Sequence, residues 1–142
     1  MEINGEIAVF QVDQIICGLD ISYVQEINKH INITRVYGAP DYVRGIMNLR
    51  GQIVTVIDMR KKFGLESVEF NDGMRIVVTK YNEESIGLLV DGVKDVISAA
   101  TENIEPPPSN VKGVSSRYFN GVLKLKDSLL MLLDKDKVLD FN

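Results

Sequence analysis

The chain has 142 residues, 45% hydrophobic and 25% charged, with a formal net charge of −4. That length fits one compact unit or two very small ones, and the apolar fraction is enough to bury a core. The acidic balance argues against nucleic acid or an anionic membrane surface as the main partner, and the single cysteine, Cys17, excludes an internal disulfide.

The first residues, MEINGEIAVF, lack the basic start and long apolar run of a signal peptide. No apolar stretch is long enough to span a bilayer, so no membrane insertion and a cytoplasmic location are expected. EIAVFQV alternates and reads as a strand, Asp13-Gln14 can turn, and IICGLDI reads as a second strand. Ser22 is predicted to cap a short helix, YVQEI, with Val24 and Ile27 on one side and Glu26 between them. GIMNLRGQIVTVID then reads as two strands around Gly51. Met47 and Leu49 alternate with Asn48 and Arg50, which predicts Arg50 on the polar face of a strand, with Glu26 as a candidate ion partner. Asp58 looks like the N-cap of MRKKF, closed by Gly64.

GLESVEFNDG, residues 64–73, reads as a joint. Beyond it, MRIVVTKY, NEES and IGLLV repeat the strand–turn–strand design, and Asp91 is predicted to cap a second short helix, GVKDVI. EPPPSN reads as a rigid loop. SRYFNGVLKLKDSLLMLLD gives strands broken near NG and KD, the NG reading equally as a bulge, and Asp134 starts a last short helix.

The second half echoes the first. At one constant spacing Ile7 meets Ile76, Val9 meets Val78, Gly18-Leu19 meets Gly87-Leu88, and Val24 meets Val93, without a gap from residue 7 to 27. With the spacing one shorter, Pro40, Val43 and Gly45 meet Pro108, Val111 and Gly113. Self-similarity of this kind predicts a duplicated unit, repeat 1 over about 5–64 and repeat 2 over about 73–139, packed as pseudo-symmetric partners with end strands free to cross between them. Many short strands and few long helices predict a mainly β fold of β-barrels.

Little in the chain points to catalysis. His30 is the only histidine, and neither it nor Cys17 has a metal partner at the usual spacing. Phosphate-loop and dinucleotide motifs are lacking, so no cofactor is expected. Arg60-Lys61-Lys62 reads as a solvated helix face. What remains is apolar surface: a groove between two small barrels would suit an amphipathic partner helix, with Glu26 as a rim charge. A small-ligand- or oligonucleotide-binding barrel is the alternative, disfavoured by the acidic balance and the lack of an aromatic stacking platform.

The segments VQEI, ITRV, P-x-x-V-x-G, NLRG-x-I-x-x-V-x-D-x-R-x-x-F-G and LLVDGVKDV resemble the CheW chemotaxis coupling proteins, from about Phe10 to Leu139. The resemblance implies a single CheW-like domain over 1–142, made of two pseudo-symmetric five-stranded β-barrels with short helices and a shared hydrophobic core. It implies a non-enzymatic adaptor that joins the cytoplasmic tip of chemoreceptors to the C-terminal regulatory domain of the histidine kinase CheA. Recruitment to membrane-associated receptor arrays, and contact with other CheW-like domains in array rings, are implied as well. By match to the family's motifs, Val24, Glu26, Arg50, Gly87, Val93 and Val96 would bind receptor along one groove, and Gly45 would contact the kinase. The family often has Pro where this chain has Thr55, a change expected to adjust strand-edge geometry slightly.

Overall fold

The computed structural model describes residues 5–29 and 32–140, so His30 lies outside the described residues. The first ladder is a hairpin of β1 (Glu6–Val12) and β2 (Ile15–Asp20) turning at Asp13-Gln14. After it come β3 (Val24–Asn28), β4 (Val43–Leu49), β5 (Gln52–Asp58) and the one-turn helix α1 (Met59–Lys62). Past the exposed 64–73 segment lie β6 (Arg75–Tyr81), β7 (Glu84–Val90), β8 (Gly92–Val93), β9 (Ile97–Ser98), β10 (Asn110–Val111) and β11 (Val114–Ser115). The chain closes with β12 (Phe119–Lys124), β13 (Leu129–Leu133) and helix α2 (Lys135–Leu139).

The fold is mainly β and is built on two large sheets. One has five strands in the order β3-β6-β7-β5-β4. The other has six, in the order β12-β13-β2-β1-β8, with β9 also on β1. The sixth strand arises because the segment after β7 is broken into two short pieces that both pair with β1, Val93 opposite Phe10 and Ile97 opposite Ile7. Each sheet draws strands from both sides of the 64–73 segment, so neither could form from one half of the chain alone. The parallel contacts occupy matching places: β5 beside β7, with Val54 opposite Ser85, and β13 beside β2, with Leu130 opposite Ile16.

Two predicted helices are strands. In YVQEI it is Asp20, not Ser22, that caps, and it caps only a 3-10 turn over Ile21–Tyr23 by accepting the Ser22 N–H at 3.0 Å. From Val24 the chain joins the free edge of β6, where ladder hydrogen bonds replace helical ones. Val24 and Ile27 therefore do not share a side; Val24 and Glu26 are half-buried while Ile27 faces out. GVKDVI likewise gives β8 and β9 on β1, and Asp91 caps no helix. In both cases an unpaired sheet edge overrides a weak local helical preference. Caps at Asp58 and Asp134 form as the sequence predicts, each carboxylate accepting two backbone N–H groups of the following turn. The NG at Asn120-Gly121 is a bulge inside β12. Thr55 lies opposite Ile46 on one side and Ile86 on the other, in the sheet interior and not at an edge as expected.

Why the strands read as nearly continuous apolar runs is clear from where their faces go. On β7, Ile86, Leu88 and Val90 enter a large core that also takes Phe10, Val12, Ile15, Cys17 and Leu19 from the other sheet. The alternate residue Leu89 enters a second core with Val54, Val56, Ile76 and Val78. The six-stranded sheet has its own inner core of Ile7, Val9, Leu123, Leu130 and Leu132. Each central strand is thus buried on both faces, one toward the shared core and one toward its own.

Candidate functional site

The segment that carries Arg50 is the tip of the β4–β5 hairpin. Arg50 (φ 52°) and Gly51 (φ 85°) both take positive φ, as the tightest two-residue hairpin turns require, and Asn48 Oδ1 accepts the Gly51 N–H at 2.9 Å. Arg50 is therefore a turn residue, not part of a strand face. The reason is register: Leu49 already faces Gln52, leaving Arg50-Gly51 to reverse the chain. Its side chain forms the ion pair with Glu26 that the sequence allowed, the guanidinium donating to both carboxylate oxygens. The hydrogen bond and charge of Glu26 raise the pKa of Arg50 above its ordinary value.

Glu26 lies on β3, at the opposite end of the five-stranded sheet from β4. The sheet must curl for the two to meet, and a backbone bridge between Thr34 and Ile46 ties the segment after β3 to β4 in the same sense. With the Arg50 side chain 72% exposed, solvent screens the pair and it adds little to stability. Two exposed aliphatics flank it in sequence, Ile27 and Ile53, at 44% and 56%. Their exposure depends on sheet position, which the alternation pattern does not reveal.

The other predicted residues are dispersed. Val24 packs partly against the shared core from one sheet, and Val93 does so from the other. Val96 is 48% exposed between β8 and β9. Gly87 is buried within β7, where an added Cβ would sit 2.6 Å from Ile76 Cγ2 and 3.2 Å from Val54 Cγ1. It is a close-packing position against the inner core. Gly45 sits at a β4 bulge with φ 148°, directly under the backbone of Thr34, where only glycine fits. Clefts of about 620, 490 and 460 Å³ lie elsewhere: beneath Phe70 and Arg44, beside Ile97 and Leu123, and between β10 and β13.

The D-x-R part of the long motif proves to be a polar hub. Asp58 accepts from Arg60 N at 3.0 Å and Lys61 N at 3.3 Å, from Ser67 Oγ at 2.6 Å and from Arg44 Nη1 at 2.8 Å. Every oxygen of this buried carboxylate is thus used, which is what burying a charge demands. Arg60 reaches away from it to Asp91 and Asp13. Among the described residues no group of three or more His, Cys, Asp or Glu could hold a metal ion. Burial pushes the Cys17 thiol up, far from a reactive thiolate.

This arrangement of mixed sheets and capped turns has known counterparts. A family model for the CheW-like domain matches residues 6–141, nearly the whole chain. The chain belongs to the CheW family. A chemotaxis protein CheW from Klebsiella aerogenes is 34% identical over 137 residues, covering 96% of this chain and 82% of that protein. One from Bacillus subtilis is 33% identical over 132 residues, covering 93% and 85%. The crystal structure of the scaffolding protein TtCheW from Thermoanaerobacter tengcongensis superposes with a TM-score of 0.83 at 33% identity, covering 94% of this chain and 86% of that one. The CheW fold thus accounts for the sheet order, and the NLRG segment of this member forms the Arg50 turn. Among the described residues no helix is long and apolar enough to cross a membrane.

Proposed function

We propose that this CheW-family chain is a non-enzymatic adaptor that couples chemoreceptors to the histidine kinase CheA. One surface would take the helical tip of the receptor's cytoplasmic domain and another the regulatory domain of CheA, holding both in one geometry. The observation that carries the reading is family membership over residues 6–141, matched by relatives named as chemotaxis proteins CheW. The local geometry supports it at Arg50. Here an exposed guanidinium stands at a hairpin tip, aimed by Glu26, with exposed Ile27 following Glu26 in sequence and exposed Ile53 on the strand that follows the Arg50 turn.

In this reading Val24, Glu26, Arg50, Val93 and Val96 belong to the receptor surface, while Gly87 supports it from beneath through packing. Gly45 would serve the kinase contact by letting Thr34 lie flat on β4. The protein would act in the cytoplasm, drawn to receptor arrays by these contacts. The test is a pull-down with a receptor-tip fragment and the CheA regulatory domain, separately and together. Retention of both, and of a ternary complex, is expected; binding to neither overturns the proposal.

A further inference from the structure

Residue 91 is where the chain passes from one sheet to the other. Strand β7 ends at Val90 in the five-stranded sheet; the Asp91 N–H donates to Gln11 O of β1 at 2.9 Å, and β8 continues in the six-stranded sheet. Arg60, on α1, meets that crossing. Its Nε donates to Asp91 Oδ1 at 3.1 Å and Oδ2 at 3.0 Å, and its Nη1 lies 3.2 Å from Asp13 Oδ1. Asp13 is the tip of the β1–β2 hairpin, held at φ 53°, and its own N–H donates to Asp91 Oδ2. One guanidinium from the five-stranded sheet is thus shared by the crossover and by the far sheet's hairpin. The Arg60 and Asp91 side chains are only 21% and 19% exposed.

We propose that Arg60 is a positioning residue that sets the angle between the two sheets and thereby assembles the receptor surface. The core between the sheets is apolar, and apolar burial is non-directional, so it holds the sheets together without fixing their rotation. A planar guanidinium with fixed donor directions does fix it, which a lysine at the same place would do poorly. Further polar ties across the junction are more exposed, among them a hydrogen bond from Tyr81 Oη to the exposed Asp136 at 2.8 Å and the Lys135 ammonium over the Tyr23 and Tyr81 rings. The consequence rests on the adaptor reading: Glu26 and Arg50 belong to one sheet, Val93 and the Val96 segment to the other, so a receptor that touches both needs the angle set. A kinase contact near Gly45, within one sheet, does not.

The test uses the full chain with nitroxide labels on exposed Lys80→Cys and Lys126→Cys, the buried Cys17 remaining unlabelled. Double electron–electron resonance is compared with affinity for the receptor-tip fragment and the CheA regulatory domain. Arg60→Gln, and Asp13→Asn as a milder variant that leaves α1 intact, should broaden the inter-sheet distance. Both should weaken receptor-tip binding by about tenfold, within the span usual for coupled sites, and leave kinase-domain binding unchanged. Arg60→Lys should restore the distance only in part. Val54→Ala, a truncation inside one sheet, should lose thermal stability without changing either the distance or the receptor affinity. Unchanged distances in Arg60→Gln and Asp13→Asn overturn the proposal, as does an equal loss of receptor affinity in Val54→Ala. If the unaltered chain binds neither fragment, the adaptor reading fails, and the distances alone still decide whether Arg60 sets the angle.

Discussion

Gly87→Ala separates packing from recognition at a position the family resemblance assigned to receptor binding. The new methyl would lie 2.6 Å from Ile76 Cγ2 and 3.2 Å from Val54 Cγ1. Comfortable carbon contacts begin at about 3.5 Å, so Ile76 must retreat by roughly 1 Å. It has little room to do so: Ile76 and Val54 are both 0% exposed, and their branched side chains are stiff at χ1. Overpacking of this kind costs about 1–3 kcal/mol, while the smaller freedom of Ala in the unfolded chain returns about 0.4–1 kcal/mol. Taking the middle of each range, the net is a loss of about 1.3 kcal/mol, and each kcal/mol lowers the thermal midpoint by about 2–4 °C in a domain near this size. Thermal unfolding followed by circular dichroism measures it. Gly92→Ala is the control, because nothing lies nearer than 3.8 Å to its Cβ. Unfolding of Gly87→Ala at the parent midpoint, or an equal drop in Gly92→Ala, would refute the reasoning. Gly18→Ala, blocked at 2.6 Å by both Ile7 and Leu130, should lose at least as much.

Arg50→Asn gives the hairpin an Asn-Gly turn, which tolerates positive φ better; stability should hold or rise by up to about 1 kcal/mol while receptor binding falls, and a lower melting temperature would count against the turn assignment. Cys17 is buried and its thiol pushed up, so it should ignore a thiol reagent in the native protein and react at the rate of unfolding; prompt labelling without denaturant would contradict its placement. The hydrogen bond to Asp136 pushes the Tyr81 phenol up to about 12, and the same bond, with Lys135, holds Asp136 below its usual range. The support from Tyr81 is therefore present below its ordinary pKa and lost as pH rises through about 12; that from Asp136 is present above the ordinary carboxylate value and lost as pH falls through its lowered one. Phenolate absorbance of the parent minus that of Tyr81→Phe should titrate late, and Asp136→Asn should return it toward 10; an ordinary titration in the parent would mean the bond does not form in solution.

Much of the secondary structure was legible because it is locally dictated. Alternating runs gave β1, β2, β6 and β7, and the carboxylates of Asp58 and Asp134 announced their caps. The Glu26–Arg50 pair was also within reach, since few charges sit among so many apolar residues. YVQEI and GVKDVI were misread as helices because their fate depends on a distant sheet edge that no local window contains. The role of Arg60 was hidden for a like reason: its three residues, 13, 60 and 91, meet only after the strands have paired.

The sequence by itself determined a duplicated pattern, a mainly β composition, the turns, and the family through its NLRG and D-x-R motifs. Hydrogen-bond caps, glycine turns and side-chain period are properties of a few neighbouring residues, and they survive in a string of letters. Tertiary structure alone decided which strands share a sheet, which of the apolar residues stay exposed, and that Gly87 is packed against Ile76 and Val54 while Arg50 stands exposed at a hairpin tip. Those outcomes depend on pairing between the two halves of the chain. A charge that the sequence placed on a strand therefore turned out to stand at a hairpin tip, held by a carboxylate from the far edge of its own sheet.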